Sequence, residues 1–168
     1  MSSAKSPALM PAELHDALQQ ALIEVSENAY FVFVEPMNAG QFATAISQVT
    51  TAWLKVSVTF VGAFSGSVEI VLPDRLGNWL VTSLLGMETD EELPEAQMFD
   101  GVGEFANMVC GAWLSKLSDR ALFELRVPAV TRMAPEWNPQ LDTRGRQELA
   151  CRMVSLNELP MRVLVRST

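Results

Sequence analysis

Leu54-Lys-Val-Ser-Val-Thr-Phe60, Gly62-Ala-Phe-Ser-Gly66 and Ser67-Val-Glu-Ile-Val-Leu72 form the stretch that sets the fold class of this chain. Leu54, Val56, Val58 and Phe60 alternate with Lys55, Ser57 and Thr59, the two-residue period of a half-buried strand. The glycine-bounded segment from Gly62 to Gly66 supplies a turn. Val68, Ile70 and Leu72 then alternate again, so the pair predicts an antiparallel hairpin.

Upstream, Pro11 suits a first helical turn, and Leu14, Leu18, Ala21, Leu22, Val25 and Ala29 make a helical stripe. The β-branched and aromatic run Tyr30 to Val34, ended by Pro36, reads as a strand, and a polar segment follows. Downstream, Pro73-Asp74 opens a short helix with Leu76, Trp79, Leu80, Leu84 and Leu85 inward, stopped at Gly86. The acidic loop Glu88 to Glu95 leads to a long helix. Strand character returns from Leu122 to Met133, with Pro128 implying an edge or a bulge. Ala134 to Gly145 reads as a loop. A second hairpin follows, Glu148 to Leu156 and Met161 to Arg166, turning at Asn157 to Pro160. Consecutive strands joined by tight turns make the sheet mainly antiparallel with helices packed on it, an α+β fold. Each half runs helix then hairpin, which suggests an old duplication. Residues 1–10 read as a loose tail, and residues 11–168 as a single domain.

The chain has 168 residues, 49% hydrophobic and 19% charged, enough for one domain with a sizeable core. A net charge of -8 argues against nucleic acid or an anionic membrane surface as partner. The longest apolar run, Ala29 to Val34, is too short to span a bilayer, so no membrane insertion is expected. Met1-Ser-Ser-Ala-Lys5 has no apolar signal core behind it, and Cys110 and Cys151 read as reduced core thiols; both point to the cytoplasm. The single His15 has no ligand-spaced partner and reads as solvated or capping, so no metal site is expected. Gly62 to Gly66 is not a nucleophile elbow, and Gly101-Val-Gly103 is not a dinucleotide loop. The four Trp residues and seven of the nine Met residues read as packing.

Chemistry concentrates on the long helix. Asp100, Glu104, Asn107 and Gly111 are spaced by four, three and four, which stacks them on one face. At about 100° per residue the four fall within roughly 60°. Phe99, Val102, Phe105, Ala106, Val109, Cys110, Trp113 and Leu117 centre on the other side, so the polar stripe faces outward. The same spacing is also that of an ordinary solvated helix face. Two details favour more: Asn is a poor mid-helix residue, and Gly103 and Gly111 each cost about 1 kcal/mol against Ala. The glycines flatten the surroundings of the stripe, which suits close approach by another molecule.

At Asp100-Gly-Val-Gly-Glu104-Phe-Ala-Asn107-Met-Val-Cys-Gly111 the chain resembles the CheC/CheX/FliY family of bacterial chemotaxis phosphatases. The likeness extends over residues Ala12 to Arg166 and includes the proline-interrupted segment Arg126-Val-Pro-Ala-Val130. It implies hydrolysis of the aspartyl phosphate on a CheY-type response regulator. Carried over by residue, Asn107 is the water-orienting amide and Glu104 the carboxylate that meets a lysine of the regulator. Asp100 holds the motif's first position, and Asp100, Glu104 and Gly111 form the partner-binding face. The resemblance implies no cofactor on this chain, with Mg²⁺ on the partner. CheC- and FliY-like members carry the motif twice; Glu24-Val-Ser-Glu27-Asn28 has the wrong spacing, and Asn28 reads as structural, which puts this chain nearest CheX. Two other readings remain open from the residues alone: a non-catalytic adaptor for a receiver domain or flagellar-switch component, and a small-molecule or lipid-binding domain with a large internal pocket. The apolar, alternating final strand also raises the expectation of a two-fold homodimer through open sheet edges.

Overall fold

A computed structural model of the chain describes residues 10–88, 90–118, 121–140 and 147–168. The tail expected at residues 1–10 falls outside them except for Met10, and so do residues 141–146 of the loop after Ala134. Eleven elements follow in chain order: α1 (Pro11–Ala29), β1 (Glu35–Pro36), α2 (Ala39–Ser47), β2 (Trp53–Gly62), β3 (Gly66–Pro73), α3 (Asp74–Leu85), α4 (Glu95–Leu117), β4 (Phe123–Leu125), β5 (Ala129–Met133), β6 (Glu148–Leu156) and β7 (Leu159–Ser167).

The strands make one seven-stranded sheet in the order β1-β6-β7-β3-β2-β4, with β5 also on β2, and every pairing is antiparallel. Exchanging β1 with β4/β5, β2 with β6 and β3 with β7 reproduces the same order read backwards. The suspected duplication is thus visible as a pseudo-two-fold, in which each half lends its short strand to the other half's hairpin. Interleaving of this kind makes the halves one cooperative body, because neither sheet half is complete alone. Both edges are short and carry proline, Pro36 in β1 and Pro128 between β4 and β5.

One face of the sheet carries the main core. Leu54, Val56, Val58, Phe60, Val68, Ile70, Leu72, Val163 and Val165 pack with Leu18, Leu22, Leu80, Phe105, Val109 and Trp113 from the helices. By strand alternation Trp53, Val71 and Leu164 point to the opposite face, where they too are buried. Trp137 packs edge-on against Trp53, and the buried Arg162 guanidinium donates to the Pro139 carbonyl. The central strands are therefore covered on both sides, and charged Glu69, Arg162 and Arg166 lie buried on the second face.

Several expectations need correction. Tyr30 to Val34 forms no strand: Tyr30 caps α1 in a helical conformation, Phe31 is left-handed, and only Glu35–Pro36 joins the sheet. The polar segment after it contains α2, opened by an Asn38 cap whose side chain accepts from the Gln41 N–H at 2.8 Å. Leu84 and Leu85 are 44% and 50% exposed, because α3 buries Leu76, Gly77, Leu80, Val81 and Thr82 instead. The last hairpin turns in two residues, Asn157 (φ 48) and Glu158 (φ 64), with Leu159 and Pro160 already in β7. This is the left-handed pair that matches strand twist. Asn28 is exposed rather than structural. His15 is neither solvated nor capping: half-buried, its Nδ1 accepts from the Cys151 N–H at 3.2 Å and ties α1 to β6.

Helix α4 sits against α3 through Gly101, where an added Cβ would fall 2.3 Å from Cγ2 and 2.7 Å from Cγ1 of Val81. Val is stiff at χ1, so the contact cannot relax cheaply. Gly101→Ala is therefore expected to destabilise the domain by about 1–3 kcal/mol despite its better helix propensity. Urea titration of the single and the Gly101→Ala/Val81→Ala double variant checks this. The loss should shrink in the Val81→Ala background.

Candidate functional site

Local contacts fix the pose of α4 before any chemistry enters. Its first turn follows Pro94, and the Asn78 side chain of α3 holds the incoming loop by donating to the Glu91 carbonyl at 2.8 Å and accepting from the Leu93 N–H at 3.0 Å. Farther along, fully buried Trp113 donates its indole N–H to the Leu14 carbonyl at 3.2 Å and stacks obliquely on Phe60. Lys116 pairs with Glu24 of α1. The helix is thus held at both ends and along its buried side.

The stripe takes the position its spacing requires. Asp100 and Glu104 are exposed, Asn107 and Gly111 half-buried, and all four lie on one outward face of α4. Gly111 has open space beside it, with nothing within 4 Å of where a Cβ would stand. Gly103 behaves differently from expectation. It is buried, and a Cβ there would meet Pro128 at 3.2 Å and 3.5 Å, so its bareness admits a neighbour from the same chain.

Asn107 carries the most informative detail. Its Oδ1 is enclosed and has no hydrogen-bond partner. An enclosed, unpaired acceptor costs about 1–3 kcal/mol, and Asn also weakens a helix interior. Two unfavourable terms at one residue mark a group with unused hydrogen-bonding capacity, enclosed just beneath the outward face. Three residues earlier Glu104 sets a negative charge on the same face.

That charge reaches Tyr30, a residue the sequence did not single out. Burial, and secondarily the Glu104 charge, push the Tyr30 phenol up to about 12, so it stays protonated. Its ring packs edge-on against Phe105 at 5.2 Å, and its hydroxyl is buried without a partner. The available signal was the four-residue step from Leu22 through Ser26 to Tyr30, which continues the α1 stripe past the helix end.

Other candidates fall away. Cys110 and Cys151 are free thiols, and burial pushes them up to about 12 and about 11, which leaves them poor nucleophiles. Among the described residues no group of three or more His, Cys, Asp or Glu side chains could hold a metal ion. A cleft of about 580 Å³ lies between Asp74, Asn78, Trp79, Glu92, Met98 and Arg132. Its lining is charged, with Arg132 paired to Asp74 at 2.8 Å, and includes none of Asp100, Glu104, Asn107 or Gly111. It is not the large apolar pocket that a lipid-binding domain would need. Among the described residues no helix is long and apolar enough to cross a membrane.

Comparison with known proteins agrees with this geometry. The sequence model of the family described as chemotaxis phosphatase CheX matches residues 54–137. No curated protein sequence matches the chain. Among solved structures, CheX from Vibrio vulnificus superposes with a TM-score of 0.65 at 17% identity, covering 95% of this chain and 99% of that one. CheX from Desulfovibrio desulfuricans gives 0.67 at 15% identity over 93% and 99%. A chain of the CheX–CheY–BeF3–Mg²⁺ complex from Borrelia burgdorferi gives 0.63 at 17% identity over 90% and 95%. At such identities the superpositions speak for the fold, and the family model, which spans the β2–β3 hairpin and all of α4, speaks for descent: this chain belongs to the CheX family of chemotaxis phosphatases.

Proposed function

We propose that this chain hydrolyses the aspartyl phosphate of a CheY-type response regulator, with Asn107 and Glu104 as the working pair. The observation that carries this reading is the enclosed, unpaired Oδ1 of half-buried Asn107 on an outward helix face one turn from an exposed carboxylate. An acyl phosphate is already activated, so its hydrolysis needs an oriented water and charge compensation more than a nucleophile. An amide can donate to and accept from one water without adding negative charge beside a phosphoryl group. A carboxylate in the same place would repel it. Glu104 suits a different task, pairing with a lysine of the regulator and setting the register of the two proteins, while Asp100 extends the negative face.

The regulator would bring the phosphorylated aspartate and Mg²⁺. A related CheX was solved with CheY, BeF3 and Mg²⁺, and beryllofluoride is a tetrahedral mimic of a phosphoryl group. No cofactor is assigned to this chain. Its partner is a cytoplasmic protein, and the chain is assigned to the same compartment. A non-catalytic adaptor would use Glu104 equally well but gives no reason for Asn107.

Three substitutions separate these roles. Asn107→Ala should leave folding intact or slightly improved, since Ala is the better helix former, while regulator dephosphorylation falls at least about 10²-fold. Turnover near wild type would remove the mechanism. Glu104→Lys turns an attraction into a like-charge contact, which can cost several kcal/mol, so regulator binding measured by calorimetry should weaken at least about tenfold. Gly111→Ala meets no neighbour within the chain and should stabilise the helix by up to about 1 kcal/mol in urea titration. Its methyl stands on the partner face, so regulator affinity should drop even as stability rises.

A further inference from the structure

The chain leaves α1 through a backbone conformation that its residue disfavours. Ser26 O accepts from both the Tyr30 N–H at 3.2 Å and the Val32 N–H at 3.1 Å, and Phe31 between them sits at φ 54. This left-handed position is one that glycine or asparagine fills easily and a bulky L-residue fills under strain. The left-handed turn gives α1 its capping bond, but the Phe31 side chain adds no packing to the molecule, since it is 87% exposed. Phe33, two residues on, is 78% exposed, while Val32 between them is buried.

The location makes this more than a stray apolar pair. On α4, Gly103 and Phe105 stand about 100° to either side of Glu104. Phe105 packs against Tyr30, the residue joined to Phe31. Gly103 packs against Pro128, the residue joined to Val127, which is 90% exposed. Exposed apolar residues thus adjoin in sequence the two residues, Tyr30 and Pro128, that pack on α4 to either side of Glu104. A charged and polar centre inside an apolar rim suits a protein partner that must exclude bulk water around a reacting group.

We infer that Phe31 and Phe33 on one flank and Val127 on the other form the apolar rim that seats a phosphorylated receiver domain over Glu104 and Asn107. The inference rests on the function proposed above and adds to it the residues outside the motif that supply affinity. Phe31 is the main anchor, since a rigid exposed ring is the kind of residue that dominates interface energetics.

The test uses the full chain and a CheY-type receiver domain loaded with beryllofluoride and Mg²⁺. In calorimetry Phe31→Gly should weaken binding at least about tenfold while the melting midpoint stays level or rises by a few degrees, because Gly relieves the left-handed strain. Phe31→Asn, also at home at positive φ, should show the same loss. Val127→Ser should weaken binding about threefold, and Asn107→Ala, which removes turnover, should bind within about threefold of wild type. Binding of Phe31→Gly within twofold of wild type overturns the rim. So does disagreement between the Gly and Asn variants, which would assign the effect to backbone geometry. A fall in solution mass on Phe31→Gly without loss of receiver binding would assign the patch to a second copy of the chain and overturn it too. A wild-type chain that turns over receiver phosphate while these variants bind normally refutes the rim alone. If wild type neither binds nor turns over any receiver, the proposed function fails, and the rim with it.

Discussion

The seating of α4 between a valine of α3 on one side and a proline of the β4–β5 segment on the other is the constraint on which the site depends. Gly101 lets the helix meet Val81, and Gly103 lets it meet Pro128. Each glycine removes a side chain that would push α4 off the sheet, and each costs helix stability, so the sequence accepts a weaker helix for a closer seat. Phe105, Val109 and Trp113 can then reach the sheet core. What remains outside is a narrow strip, and Asp100, Glu104, Asn107 and Gly111 occupy it.

The sheet beneath is built to hold that helix still. The interleaved halves leave the central β3 and β7 strands buried over nearly their whole length. A helix packed across such a platform has little freedom to shift, and Trp113 adds a hydrogen bond from the core to the α1 backbone. Rigidity matters for a surface that must position a water molecule, because small errors in placement are expensive in rate. In the proposed reaction the chemistry is spare: this chain contributes one amide and one carboxylate, and the partner supplies the remaining groups.

The helix of the first half, α1, makes polar contacts within the molecule. His15 reaches the β6 backbone, Asp16 pairs with Arg152 of β6 at 3.4 Å, and Glu24 pairs with Lys116 of α4. Both helices nonetheless keep enclosed polar atoms without a partner, at Gln19 and Ser26 of α1 and at the Asn107 oxygen of α4.

How much of this could be read beforehand depends on the range of the interaction. Periodicity is local, so the amino-acid sequence alone determined α1, the β2–β3 hairpin, α4 with its outward Asp100–Glu104–Asn107–Gly111 face, the break at Pro128 and the terminal hairpin. Their side-chain spacing exposes or buries residues whatever lies opposite. Contacts distant in sequence were not legible. Tyr30 to Val34 has strand chemistry, yet only Glu35–Pro36 finds a partner, because β6 offers an edge just there. Leu84 and Leu85 look inward on propensity and stand half-exposed because α4 covers a different face of α3. Gly103 looked like part of an open surface, and tertiary packing filled it with Pro128. His15 became an anchor only when β6 arrived beside α1. Most of all, the packing of Phe105 on Tyr30 and of Gly103 on Pro128 joins segments distant in the chain. Packing alone brings residues 30–33, 103–107 and 127–128 together, since no local propensity encodes which surfaces will meet.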